Sequence, residues 1–142
     1  MRAAALACLM LAACVTGGSA RTPDDLVRGC WINRDAGATT MRWLPNPQRP
    51  GVLAGHKLIY RQAGPPEATR FSLEPSDEGW SLCELDAQGG AAVSCWQVAQ
   101  GEGGSLEGGR VFIDAHGDRL RIAIIGDGAE RILFQGRRDG CD

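Results

Sequence analysis

The chain has 142 residues, 15 basic and 17 acidic, for a formal net charge of −2. The charges are interspersed, without the basic patch or run that nucleic-acid binding requires, so that class of partner is excluded. Twenty glycines and seven prolines are spread throughout, and after the N-terminus no stretch sustains a helical period beyond a single short turn.

Met1-Arg2 gives a positive start, Ala3 to Val15 is almost wholly apolar, and Thr16, Gly17, Gly18, Ser19 and Ala20 are small. This is the layout of a secretory signal. The apolar run is shorter than the roughly 20 residues that span a bilayer, and no later stretch approaches that length. Two cut sites compete. Gly18-Ser19-Ala20 suits the ordinary signal peptidase, giving a start at Arg21. Leu11-Ala12-Ala13-Cys14 resembles a bacterial lipobox, in which cleavage precedes the cysteine and lipid is attached to it. The lipobox demands four residue types in order and is the more specific pattern. The expected organisation is therefore a signal peptide over 1–13 (alternatively ending at 20), lipidation at Cys14, a polar tether over 14–23, and one domain over 24–142. The protein would sit in the bacterial cell envelope, lipid-anchored with a periplasmic domain; the alternative is a soluble periplasmic or secreted form. Its only membrane contact would be the anchor.

Removing Arg2 leaves 14 basic against 17 acidic residues, a net charge of −3. With Cys8 and Cys14 outside the fold, Cys30, Cys83, Cys95 and Cys141 remain. An even number in an exported chain favours disulfides, and four cysteines allow three pairings. Cys83 and Cys95 flank the turn Gln88-Gly89-Gly90 and are the favoured pair, leaving Cys30 with Cys141. The C-x₂-C spacing of a zinc site is absent.

Thr22 as cap, Pro23 in the first position and Asp24-Asp25 in the first turn predict a short helix that Gly29 ends. Strands follow at about Cys30–Arg34, Thr39–Leu44, Gly51–Arg61, Glu67–Leu73, Gly79–Leu85, Ala92–Val98, Arg110–Ala115, Arg119–Ile125 and Glu130–Gln135. Turn residues separate them, and the loop 101–109 (GEGGSLEGG) is the most glycine-rich. Short, evenly spaced strands predict one all-β domain, an antiparallel up-and-down barrel of eight or nine strands, with a β-sandwich as the alternative. Alternation puts Val52, Ala54, His56, Leu58 and Tyr60 on one inward face. Leu120, Ile122 and Ile124 share another, as do Ile132 and Phe134. Lys57, Arg61, Arg121 and Arg131 are expected to point outward.

A capped turn leading into Gly29-Cys30-Trp31 resembles the G-x-W signature that opens lipocalin-like (calycin) barrels. "DDLVRGCW" followed by "MRWLPNPQRPGVLAGHKLIYR" is also similar to small exported bacterial lipocalin-like domains of unassigned function. The resemblance implies that Trp31 closes the barrel floor with a basic residue of the last strand over its ring, here Arg131 or Arg137.

No constellation for catalysis stands out. Ser105 lacks the glycine spacing of a nucleophile elbow. His56 and His116 form no metal pair, and Glu84 and Asp86 border a turn. The reading is non-enzymatic, with no cofactor and no metal. It expects a small barrel binding an apolar or amphipathic ligand, lined by Trp43, His56, Tyr60, Phe71 and Trp96. The alternative is a protein-interaction or protease-inhibitor-like module acting on an envelope partner.

Overall fold

The structure, a computed structural model, describes residues 21–35, 37–99 and 110–141. The signal peptide, Cys8, Cys14, Ser105 and the loop 101–109 lie outside the described residues. The elements are α1 (Pro23–Val27), β1 (Gly29–Asn33), β2 (Thr39–Pro45), β3 (Leu53–Ile59), β4 (Glu67–Ser76), β5 (Gly79–Leu85), β6 (Ala92–Val98), β7 (Arg110–His116), β8 (Arg119–Gly126) and β9 (Ala129–Asp139). Every expected strand is present, displaced by a few residues at most. No helix among the described residues is long and apolar enough to cross a membrane. Thr22 precedes α1, but its hydroxyl meets the side chains of Asp24 and Asp25 instead of a backbone N–H.

The nine strands pair in chain order and close into a barrel, not a sandwich, with β9 against β1. One expectation needs correction. A ring with an odd number of strands cannot be antiparallel at every seam, and here β6 and β7 run parallel. Only Gln97↔Arg110 and Val98↔Val111 register across that seam. Parallel neighbours need a crossover instead of a tight hairpin.

Side chains alternate across each strand, so the buried set identifies the inner face. Trp31, Met41, Trp43, Leu53, Phe71, Leu73, Leu82, Leu120 and Ile122 are all at most 2% exposed and belong to one contiguous cluster. Burying an aliphatic or aromatic side chain of this kind contributes about 1.5–3 kcal/mol. The barrel is therefore held by what fills it.

On β3 the inner residues are Leu53, Gly55 and Lys57, not Ala54, His56 and Leu58. The cause is Trp43. Its six-membered ring lies where a Cβ on Gly55 would sit, 2.4 Å from the nearest ring carbon. Glycine is thus the inward residue opposite tryptophan, and the polarity pattern of β3 reads one residue out of step. On β9 a bulge between Ile122 and Ala123 of the partner strand breaks the alternation. Leu133 and Phe134 are both buried, Ile132 is 51% exposed, and Arg131 turns back toward the interior.

One end of the barrel is sealed. Val27 at the end of α1 is fully buried, and its carbonyl accepts a hydrogen bond of 2.6 Å from Trp31 Nε1. The guanidinium of Arg138 lies 4.2 Å from the Trp31 ring centroid and donates to the Arg28 carbonyl at 3.2 Å. The basic residue over the tryptophan is therefore Arg138, not Arg131 or Arg137. Register decides this, because Arg138 pairs directly with Trp31 whereas Arg137 pairs with Ile32 and faces outward. Gly29 has φ +119°, a backbone conformation that favours glycine, and a Cβ there would also displace the guanidinium of Arg138, 2.9 Å away.

Two disulfides lock the wall. Cys83 and Cys95 face each other across β5 and β6 and are bonded. Cys30 is bonded to Cys141 over 111 residues, tying the first strand to the C-terminus. In the chain-entropy account, loops of these two lengths contribute about 3 and about 5 kcal/mol.

Candidate functional site

Arg131 lies seven residues before Arg138 on the same extended strand, about 23 Å away at the usual strand rise. It marks the end of the barrel opposite α1. Here the inner face changes character. Beyond the aromatic layer of Phe71 and Trp96, the inward positions carry Lys57, Thr69, Glu84, Ser94 and Arg131. These short and charged side chains make this end of the inner face, the mouth, polar above an apolar layer.

Lys57 is the central residue of this mouth. It is half-buried, its Nζ lies 5.9 Å from the Phe71 centroid, and it donates to the Leu133 carbonyl at 3.3 Å. Burial away from water pushes its pKa below the usual lysine value. The carboxylate of Glu84 opposes that shift, nearby Arg131 adds to it, and Glu67 opposes it. Glu67 is itself ion-paired with Arg61. Arg131 stands 5.8 Å over the ring of Trp96, which is half-buried. Two cations thus lie over two aromatic faces, and the carboxylate of Glu84 acts on one of them, Lys57.

Deeper in, Trp43 packs against Phe71 with ring centroids 6.2 Å apart, tilted by 39°. Its Nε1 is buried and has no hydrogen-bond partner among the described residues. Leaving such a donor unsatisfied costs about 1–3 kcal/mol. A barrel interior meant only for packing would be better served there by phenylalanine.

The five expected lining residues separate into three groups. Trp43 and Phe71 are inside, in the core beneath the mouth. Trp96 is at the mouth itself. His56 and Tyr60 are elsewhere, and their expected inward orientation is corrected. His56 lies on the outer wall between Arg42 of β2 and Arg70 of β4, and burial together with these two cations holds its pKa below the usual histidine value. Tyr60 follows β3, 45% exposed, its backbone N–H bound to the Ala38 carbonyl at 2.9 Å. Sequence reasoning missed Lys57, Glu84 and Arg138. The signal for Lys57 was Gly55: an inward glycine two residues away, opposite a large aromatic on the neighbouring strand, puts Lys57 on the inner face.

No group of three or more histidine, cysteine or acidic residues able to hold a metal occurs among the described residues. Comparison of the chain with protein-family models, curated proteins and solved structures finds no match.

Proposed function

We propose that the chain is a non-enzymatic, lipocalin-like binding barrel, exported and tethered to the bacterial envelope through Cys14. Its ligand is small and amphipathic, with an anionic head group at the mouth. The observation that carries this reading is Lys57. Half-burying an ammonium over an aromatic core is costly unless an opposite charge compensates, and leucine or methionine would pack that site without the cost. Among the described residues, Lys57 and Arg131 are two cations of the inner face at this end, against one carboxylate outside an ion pair, Glu84. An anionic head group restores the balance, while the apolar part of the ligand lies on Trp96 and Phe71. The N–H of Trp43 offers a donor to any acceptor atom that reaches the floor.

Titration of the purified protein with a fluorescent fatty-acid analogue tests this. Saturable binding is expected near a Kd of about 1 μM, equivalent to roughly −8 kcal/mol. Lys57→Met should weaken it more than about tenfold with the fold retained. Absence of saturable binding, or equal binding by Lys57→Met, refutes the mouth as a ligand site. The tether has its own test, since the intact mass of the native protein separates a lipidated Cys14 start from an Arg21 start.

A second reading has one observation in its favour. On the outer wall Phe112, Ala123 and Ile132 stand opposite one another across β7, β8 and β9, with Ile125 nearby; Ile125 and Ile132 are 40% and 51% exposed. Such an apolar strip suits a protein-interaction module. Mild crosslinking in intact cells discriminates: recovery of the monomer alone removes this reading.

A further inference from the structure

The outer wall near the sealed end holds a groove of about 840 Å³ over β1, β9, β8 and β7, separate from the mouth. Its floor is built from one row across the sheet, Ile32–Arg137–Arg119–His116, in which each residue is the direct register partner of the next. Arg119 and Arg137 therefore stand opposite each other on adjacent strands with like charge, an arrangement that destabilises a sheet. Arg34 and Arg138 complete the basic lining.

Most charges around the groove already have partners. Arg121 is ion-paired with Glu130, and His116 Nε2 lies 3.2 Å from Asp114 Oδ1. Arg138 is held by Trp31 and the Arg28 carbonyl. Among the described residues, Arg34, Arg119 and Arg137 have no carboxylate within ion-pair distance, although Asp35 and Asp139 also line the groove. Two directly opposed guanidinium groups are thus left without an ion-pair partner among the described residues, in a concave surface, on a protein whose net charge is negative.

We propose that this groove binds a small phosphate monoester, its phosphate clamped between Arg119 and Arg137. The guanidinium fork matches two oxygens of a tetrahedral phosphate, and a dianion neutralises two cations where one carboxylate neutralises one. The groove is within the size range of small-molecule sites, so an organic group attached to the phosphate also fits. This site is independent of the ligand proposed for the mouth.

Calorimetric titration with phenyl phosphate tests the assignment, with benzoate as the monoanionic control. In the Lys57→Met background, where the mouth no longer takes amphipathic anions, saturable one-to-one binding of phenyl phosphate is expected, more than about tenfold tighter than benzoate. It should weaken as salt rises. Arg119→Gln/Arg137→Gln should abolish it without lowering the Tm, because the variant removes a like-charge pair. If that variant fails to fold, Arg137→Lys keeps the charge but loses the fork, and binding should drop more than about tenfold. Three results overturn the proposal: no saturable binding, equal binding by these variants, or binding only to vesicles carrying phosphatidic acid.

Discussion

The two ends of the barrel use the same pair of residue types to opposite effect. At the sealed end Arg138 lies 4.2 Å from Trp31 and donates to the Arg28 carbonyl just past α1, whose last residue is fully buried. At the mouth Arg131 lies 5.8 Å from Trp96, and both residues remain partly in water. The difference lies in what each arginine has left to bind. Arg138 has its ring and its carbonyl acceptor, so the contact closes the fold. Arg131 has a ring and no backbone acceptor among the described residues, so it still has donors to offer a ligand.

Breaking the sealed end should have the largest effect. Trp31→Ala removes a fully buried ring and the hydrogen bond to Val27, and is expected to cost about 3–5 kcal/mol in denaturant unfolding. Trp96→Ala, at the half-exposed mouth, should cost clearly less and should reduce ligand binding. Equal losses at the two positions would refute the contrast.

The arginines sharpen the same comparison on a smaller scale. Arg138→Met should cost about 1–2 kcal/mol, from a partly desolvated cation–π contact and a hydrogen bond to Arg28. Arg131→Met should change stability by less than about 0.5 kcal/mol, as expected for a solvent-exposed charge. Lys57→Met goes further: removing a half-buried charge from an apolar neighbourhood should leave stability unchanged or raise it by up to about 1 kcal/mol, while mouth binding is lost. Thermal denaturation and titration on the same samples report both quantities. A Lys57→Met variant that is much less stable would make Lys57 structural.

Much of this was legible in the chain. All nine strands, the short helix and both disulfides follow from turn residues, alternation and an even cysteine count. Closure at Gly29-Cys30-Trp31 was legible as well, but the arginine partner was not, because choosing among Arg131, Arg137 and Arg138 requires the register of β9 on β1. The parallel seam escaped because the sequence allows eight or nine strands, and only nine in a closed ring force one. The site was misread for a local reason. Gly55 is inward to make room for Trp43, so the apolar-looking face of β3 is its outer one, and His56 and Lys57 exchange faces. The bulge opposite Ile122 did the same for Arg131. In both places the hydrophobic pattern was overridden by a volume requirement or an extra residue, neither of which shows in polarity.

The smallest effect is also the cleanest test of that exchange. His56 is flanked by Arg42 and Arg70, and its pKa in the folded state lies below the ordinary value of 6.5. The unfolded chain therefore takes up the proton first. The contribution of neutral His56 is fully present above pH 6.5 and is lost as pH falls from 6.5 through the lower folded-state value. Stability should decline gently over that window in the wild type, and His56→Gln should flatten the decline. Binding at the mouth should not follow, because His56 lies on the opposite face of β3 from Lys57. Fatty-acid-analogue titrations between pH 5.5 and 8 should thus be alike in wild type and His56→Gln. If affinity instead changes with pH in the wild type and ceases to do so in His56→Gln, the ligand lies on the outer face of β3 and the contrast between the two ends no longer describes how the barrel binds.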